Sequence, residues 1–212
     1  MPKRSLIYLF SKTSYPEVNH IPILVPTYLQ PSIEFSSYDY IIATSKETIT
    51  ALDKIGNWKI LPVLAISAST ADFVRKSGGK VLDTADGYGK SIVSIVKNKY
   101  ADKKALHPHA KVIAFDLHES ISQLNIKINS FIVYETSCSN EKEIELPLDA
   151  ICIFTSPSSV KCFEKKYKFL QTFKIVCIGE TTASALPLDL PYVISEKTSV
   201  PSTIAKAKSL IE

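Results

Sequence analysis

The sequence lacks most of the patterns that announce a particular chemistry, and each absence removes a class of function. No stretch approaches the roughly 20 consecutive apolar residues that span a bilayer. Met1-Pro2-Lys3-Arg4-Ser5 leads into Leu6–Phe10, an apolar run too short for a signal-peptide core and without a small-residue cleavage site, so it reads as a buried first strand. No arginine-rich stripe supports nucleic-acid binding, and the Lys165-Lys166-Tyr167-Lys168 cluster reads as a solvated helix face. Neither Gly-x-Gly-x-x-Gly nor Walker spacing occurs. Asp86-Gly87-Tyr88-Gly89 resembles a phosphate loop only loosely, which argues against a nucleotide. His20, His107, His109 and His118 form no metal spacing with carboxylates or cysteines. There is no Gly-x-Ser-x-Gly elbow and no reactive-cysteine setting. Cys138, Cys152, Cys162 and Cys177 form no Cys-x-x-Cys pair and read as small core hydrophobes in a reducing, cytoplasmic compartment.

What is present is ordinary for a soluble globular protein. The 212 residues are 45% hydrophobic and 22% charged, and the net charge of +4 suits a polyanionic small molecule without demanding one. The chain repeats itself about 112 residues apart. Thr44-Ser45, Ile66-Ser67-Ala68-Ser69-Thr70-Ala71, Val81 and Ile92 recur as Thr155-Ser156, Ile178-Gly179-Glu180-Thr181-Thr182-Ala183, Val193 and Ile204. Two copies of so long a unit mean two similar domains.

Short, continuously apolar runs mark strands buried on both faces: Leu6–Phe10, Tyr40–Ala43, Val63–Ile66, Val81-Leu82, Val112–Phe115, Phe131–Tyr134, Ile151–Phe154, Ile175–Ile178 and Tyr192–Ile194. Helix-like stretches lie between them at Lys46–Ile55, Thr70–Lys76, Lys90–Lys99, Ser158–Phe169, Thr182–Leu186 and Ser202–Ile211. The alternation predicts two similar α/β domains, each a parallel sheet with helices on both faces. Ile21–Tyr28 and Ser130–Thr136 read as extended segments pairing into a two-stranded β connector, with a cleft between the domains. Residues 1–22 and 137–212 would form one discontinuous domain, 23–29 and 131–136 the connector, and 30–130 the second domain. His107-Pro108-His109 reads as a loop.

The recurring positions are small hydroxyl residues where strands run into helices. Each such turn serves as a helix cap, and its free backbone N–H groups can also receive an anion. Parallel sheets bind ligands at these carboxyl ends. Tyr134, at the end of an apolar strand, either packs at a hinge or aims a phenol at a departing oxygen.

Three stretches resemble the uroporphyrinogen-III synthase family: Val133-Tyr134-Glu135-Thr136, Phe154-Thr155-Ser156-Pro157-Ser158-Ser159-Val160 and Ile178-Gly179-Glu180-Thr181-Thr182-Ala183-Ser184-Ala185-Leu186. Pro201-Ser202, opening a last helix, also fits. The first copy departs from the family at Lys46-Glu47, at Ser67 and in the short segment from Phe115 to Asn129. The resemblance implies a cyclising lyase that acts on hydroxymethylbilane without cofactor or metal. The substrate loses water, closes through a spiro intermediate and inverts its last ring. The implied catalytic residue is Tyr134. The implied substrate-binding residues are Thr44, Ser45, Ser67 and Thr70 in the first copy, and Thr155, Ser156, Ser158, Gly179, Thr181 and Thr182 in the second. A monomer is expected, with no nucleic-acid or membrane partner and at most transient contact with hydroxymethylbilane synthase. The rival reading is a non-catalytic two-domain binder of a small anionic metabolite, since fold alone does not separate the two.

Overall fold

A computed structural model describes residues 6–113 and 115–211. Met1–Ser5, the flank of the expected first strand, lies outside the described residues. In chain order the elements are β1 (Ile7–Ser11), β2 (Asn19–Pro22), β3 (Leu24–Tyr28), β4 (Tyr40–Ala43), α1 (Lys46–Ile55), β5 (Pro62–Ala65), α2 (Ala68–Lys76), β6 (Lys80–Thr84) and α3 (Gly89–Lys99). There follow β7 (Ala105–Ala110), α4 (Leu117–Ser122), β8 (Ile128–Cys138), β9 (Ile151–Phe154), α5 (Pro157–Lys166), β10 (Lys174–Cys177), α6 (Glu180–Ala183), β11 (Tyr192–Ile194) and α7 (Val200–Lys208).

The chain divides into two compact units. One holds the residues up to Pro26 and from Ser137 onward, the other Thr27–Thr136. The first unit carries a sheet of order β11-β10-β9-β1-β2, whose registered pairs are all parallel. The second carries the order β3-β8-β7-β4-β5-β6, with parallel pairing from β8 through β6. The two orders share one plan. In each copy the first strand (β4 or β9) is central, and the next two strands step outward on one side. On the other side β7 and β8 follow β4 in sequence, whereas β1 and β2, from the start of the chain, take the equivalent places beside β9. The duplication is therefore circularly permuted: the last two strands of the second copy are supplied by the N-terminus.

Continuous apolar strands make these sheets because both faces are covered. Every residue of β1, β4 and β9 is buried. In the Thr27–Thr136 unit, alternate residues of β4 go to opposite layers. Tyr40 and Ile42 pack with Ile92, Val96, Leu117 and Ile121 of α3 and α4, while Ile41 and Ala43 pack with Ile49, Leu52 and Val74 of α1 and α2. Ser45, Ser67, Ser156 and Ser199 cap α1, α2, α5 and α7, each accepting from the backbone N–H three residues on. Gly78 closes the turn after α2 at φ +80°, and a Cβ on Gly79 would meet the buried Trp58 ring at 2.4 Å, so the turn needs both glycines.

Several expectations are corrected. Ile21–Tyr28 is two strands in different sheets, interrupted at Ile23, whose N–H turns back to the Ile21 carbonyl (2.8 Å). Of the expected strand Val112–Phe115, Ala114 lies outside the described residues, and Val112, Ile113 and Phe115 are not in a strand. The strand lies earlier, at β7, and includes His107-Pro108-His109. Proline is tolerated there because of which way its nitrogen faces. Ala105 sends its N–H toward β8, to the Lys127 carbonyl, so the nitrogen of Pro108, three residues on, faces β4. Pairing with β4 ends at Leu106, and no ladder bond is lost. The expected Thr182–Leu186 helix is the shorter, earlier α6.

The cysteine reading holds for Cys152 and Cys177, which are free and buried, with burial pushing both thiols far up in pKa. Cys138 and Cys162 also pack in the same core, but they are not free: they form a disulfide. Their sequence positions, 24 residues apart, carry no signal; the end of β8 and the middle of α5 bring their Cα atoms to 5.2 Å. Protein purified in air and denatured should therefore titrate two thiols per chain, and four after reduction. Four without reduction would show that the bond does not form.

Candidate active site

Thr44 and Ser45 follow β4, Ile66 follows β5 and Asp86 follows β6, so three adjacent strand ends open at one rim. Between β4 and β7 the strand order reverses, and such a switch point leaves a crevice at the carboxyl ends. A pocket of about 780 Å³ occupies this place. Its polar wall includes Thr44, Ser45, Asp86, Lys90, His107 and Tyr134, and its apolar wall includes Ile66, Val112, Ile113, Phe115 and Leu117. A volume of this size suits a small organic ligand.

Tyr134 lies near the end of β8, where a register shift beside Ala110 re-aims the strand. Its ring packs with Ala51 and Val133 and is 9% exposed. Its hydroxyl lies 3.0 Å from Ser45 Oγ. Ser45 Oγ in turn accepts from the Thr48 N–H (3.1 Å) and lies 3.1 Å from Thr48 Oγ1. Burial pushes the Tyr134 pKa up, so the phenol keeps its proton at neutral pH. The ring is thus anchored by packing, and its hydroxyl meets the helix cap that lines the pocket. Beside it Tyr28 donates to the buried Glu47 carboxylate in the first turn of α1, and Lys54 Nζ sits 4.8 Å over the Tyr28 ring. Asp86 is held below its usual pKa by the Ser91 hydroxyl and the Tyr88 N–H, and so stays ionised. A Cβ on Gly89 would meet the Phe115 ring at 2.3 Å, so the bare backbone there lets Phe115 form the wall.

Of the residues singled out in sequence, Thr44, Ser45 and Tyr134 come together at the pocket. Ser67 and Thr70 do not line it. Their hydroxyls lie 3.2 Å apart at the start of α2, and Thr70 is buried. In the other unit Thr155 and Ser156 follow β9, and Ser156 and Ser159 form a reciprocal capping box. Ser158 and Thr181 are exposed on the next turns, and Thr182 is buried. Gly179 caps α6 with extended backbone, and a Cβ there would lie 3.2 Å from the Thr198 methyl, a tight contact. Sequence reasoning missed Asp86, weighed only as part of a phosphate loop, and His107, taken for a loop residue. The signal for His107 was the alternation of Ala105, His107 and His109, which Pro108 obscured.

No helix among the described residues is long and apolar enough to cross a membrane. No group of three or more metal-ligating side chains occurs among them. No curated protein matches the chain significantly in sequence. Among solved structures, the uroporphyrinogen-III synthetase of Helicobacter pylori 26695 superposes with a TM-score of 0.83 at 22% identity, over 96% of this chain and 98% of that one. A mutant uroporphyrinogen-III synthase from the extreme thermophile Thermus thermophilus superposes at 0.58 and 15% identity, over 97% and 98%. At such identities these likenesses establish the fold. The model of the family described as uroporphyrinogen-III synthase HemD matches residues 14–205. Because that match spans nearly the whole chain, the chain belongs to the uroporphyrinogen-III synthase family.

Proposed function

We propose that this chain closes hydroxymethylbilane to uroporphyrinogen III as a cyclising lyase of tetrapyrrole synthesis, with Tyr134 assisting the step that starts ring closure. The family match carries this reading, and the Tyr134–Ser45 hydroxyl pair at the pocket supports the residue assignment. The Tyr134 phenol, kept protonated by burial, donates to the terminal hydroxyl of the bilane as that group leaves as water. The azafulvene left behind is attacked by the substituted carbon of the last pyrrole. The spiro intermediate then opens and recloses with that ring inverted. Pyrroles are reactive without activation, so the protein's task is to hold the bilane in one folded conformation.

Thr44 and Ser45 are the proposed contacts in the Thr27–Thr136 unit, with Ser67 and Thr70 supporting the start of α2. Thr155, Ser156, Ser158, Thr181, Thr182 and the Gly179 backbone are the proposed contacts in the other unit, through hydroxyls and helix-start N–H groups. We place the enzyme in the cytoplasm as a monomer without cofactor, receiving its unstable substrate from hydroxymethylbilane synthase. In that compartment the Cys138–Cys162 pair would be held reduced.

A coupled assay tests the function. Hydroxymethylbilane is generated in place, this protein is added, and the oxidised uroporphyrin isomers are separated. A shift from isomer I to isomer III is expected. Isomer I alone, from folded protein, would leave a binder of some other anionic metabolite.

A further inference from the structure

His107 is buried in a way that the reading above does not use. It is 1% exposed and lies on β7 between Ala105 and His109. Its strand face is the one that packs against α3 and α4, and it forms part of the pocket wall. Its Nδ1 lies 3.3 Å from Ser130 Oγ on the neighbouring β8. Its Nε2 is buried and has no hydrogen-bond partner among the described residues. Burial brings its pKa down to about 3, with the nearby His109 and His118 acting in the same direction and Asp116 opposing them, so the ring is neutral at any working pH. An orphaned buried nitrogen destabilises a fold, and a phenylalanine or leucine would fill the same wall without that penalty. A polar atom kept at such a position is explained if the ligand supplies its partner.

The rest of the pocket indicates what that ligand group is. Carboxylates of a polyacidic substrate would want cations and free N–H groups. Thr44 and Ser45 before α1 and Gly89–Ser91 at the start of α3 offer some of these, but the wall also presents the ionised Asp86, which repels a carboxylate, and an apolar surface that includes Ile66, Val112, Ile113 and Phe115. Acceptors set in an apolar wall suit a flat, uncharged ring that carries an N–H. We infer that this pocket seats one pyrrole ring of the substrate, with His107 Nε2 accepting that ring's N–H. This inference rests on the synthase reading. It requires Nδ1 to carry the imidazole proton and donate it to Ser130 Oγ, which leaves the Nε2 lone pair for the ligand. His107 is then a substrate-contacting residue that holds a ring in register and takes no proton during the reaction.

Two measurements test this. In long-range proton–nitrogen spectra of protein labelled with ¹⁵N-histidine, the His107 signals, assigned by their loss in His107→Phe, should show the Nδ1–H tautomer. The Nε2 resonance should shift when uroporphyrinogen III is added under reducing conditions. The opposite tautomer would overturn the inference, and should His107→Phe fold poorly, loss of the same signals in His107→Gln gives the assignment. In the coupled assay, His107→Phe should raise KM about tenfold with a smaller change in kcat and no loss of thermal stability. His107→Gln, whose side-chain oxygen can take the Nε2 position, should recover most of that loss. A KM for His107→Phe within twofold of wild type would sink the inference while leaving the synthase reading intact. If wild-type protein forms no isomer III, the synthase reading falls and this one falls with it.

Discussion

Tyr134→Phe should slow isomer III formation about 100-fold while the protein unfolds at nearly the same temperature. The rate estimate follows from what the hydroxyl would do: losing a positioned acid or a preorganised donor at a departing oxygen typically costs about 10²–10⁴-fold. The stability estimate follows from what the ring does. Its packing with Ala51 and Val133 survives the change, since phenylalanine has the same ring. Ser45 Oγ loses one neighbour but keeps the Thr48 N–H and the Thr48 hydroxyl. A net loss of about 0.5–1.5 kcal/mol is then expected. Because burial raises the phenol's pKa, the wild-type rate should not fall through ionisation of Tyr134 between about pH 6 and 9. The measurement is the initial rate of isomer III formation beside a thermal melt. Parallel losses of rate and melting temperature would return Tyr134 to a packing role.

Ser45→Ala should cost both stability and activity, because one oxygen serves two purposes. It caps α1 by accepting from the Thr48 N–H, and removing such a cap destabilises a helix start by about 1–2 kcal/mol. It also anchors the Tyr134 hydroxyl at 3.0 Å. Freed of that anchor, the phenol samples other orientations, and turnover should fall about tenfold. Ser45→Thr, which retains a capping oxygen, should recover most of both. Within this pair the kinetic effects should not multiply. Once Tyr134 is phenylalanine, removing Ser45 Oγ should slow turnover by less than it does in the wild type. Full multiplication of the two single effects would mean that Ser45 acts on catalysis without Tyr134.

The residues that proved easiest to read are those whose signal is local. Ser156-Pro157 states a helix start in two letters, because a capping oxygen and a proline without its N–H both belong there. Ile151–Phe154, apolar without interruption, states a strand buried on both faces. The duplication is equally plain, since it compares the sequence only with itself. Harder to read were residues whose role depends on a neighbour far along the chain. His107-Pro108-His109 looks like a loop until it is known that the Pro108 nitrogen faces the side where pairing with β4 has ended. Cys138 and Cys162 look like unlinked core residues until the end of β8 is laid against α5. Asp86 and Gly89 look like a failed phosphate loop until Phe115 is found against the Gly89 backbone.

By itself, then, the sequence determined the α/β class, the two copies, the helix caps and, through the residues around Tyr134, Ser156 and Gly179, a resemblance to the family that the chain proved to match. These rest on propensity, apolar periodicity and short motifs, which act within a few residues of one another. Only the tertiary structure decided that β1 lies between β9 and β2, that Ser45 and Tyr134, 89 residues apart, share a hydrogen bond, and that His107 ends in the wall of their pocket with one nitrogen unpaired among the described residues. Each of these depends on which strands lie side by side. That order is set by burying both faces of a whole sheet at once, and no local window of sequence contains it.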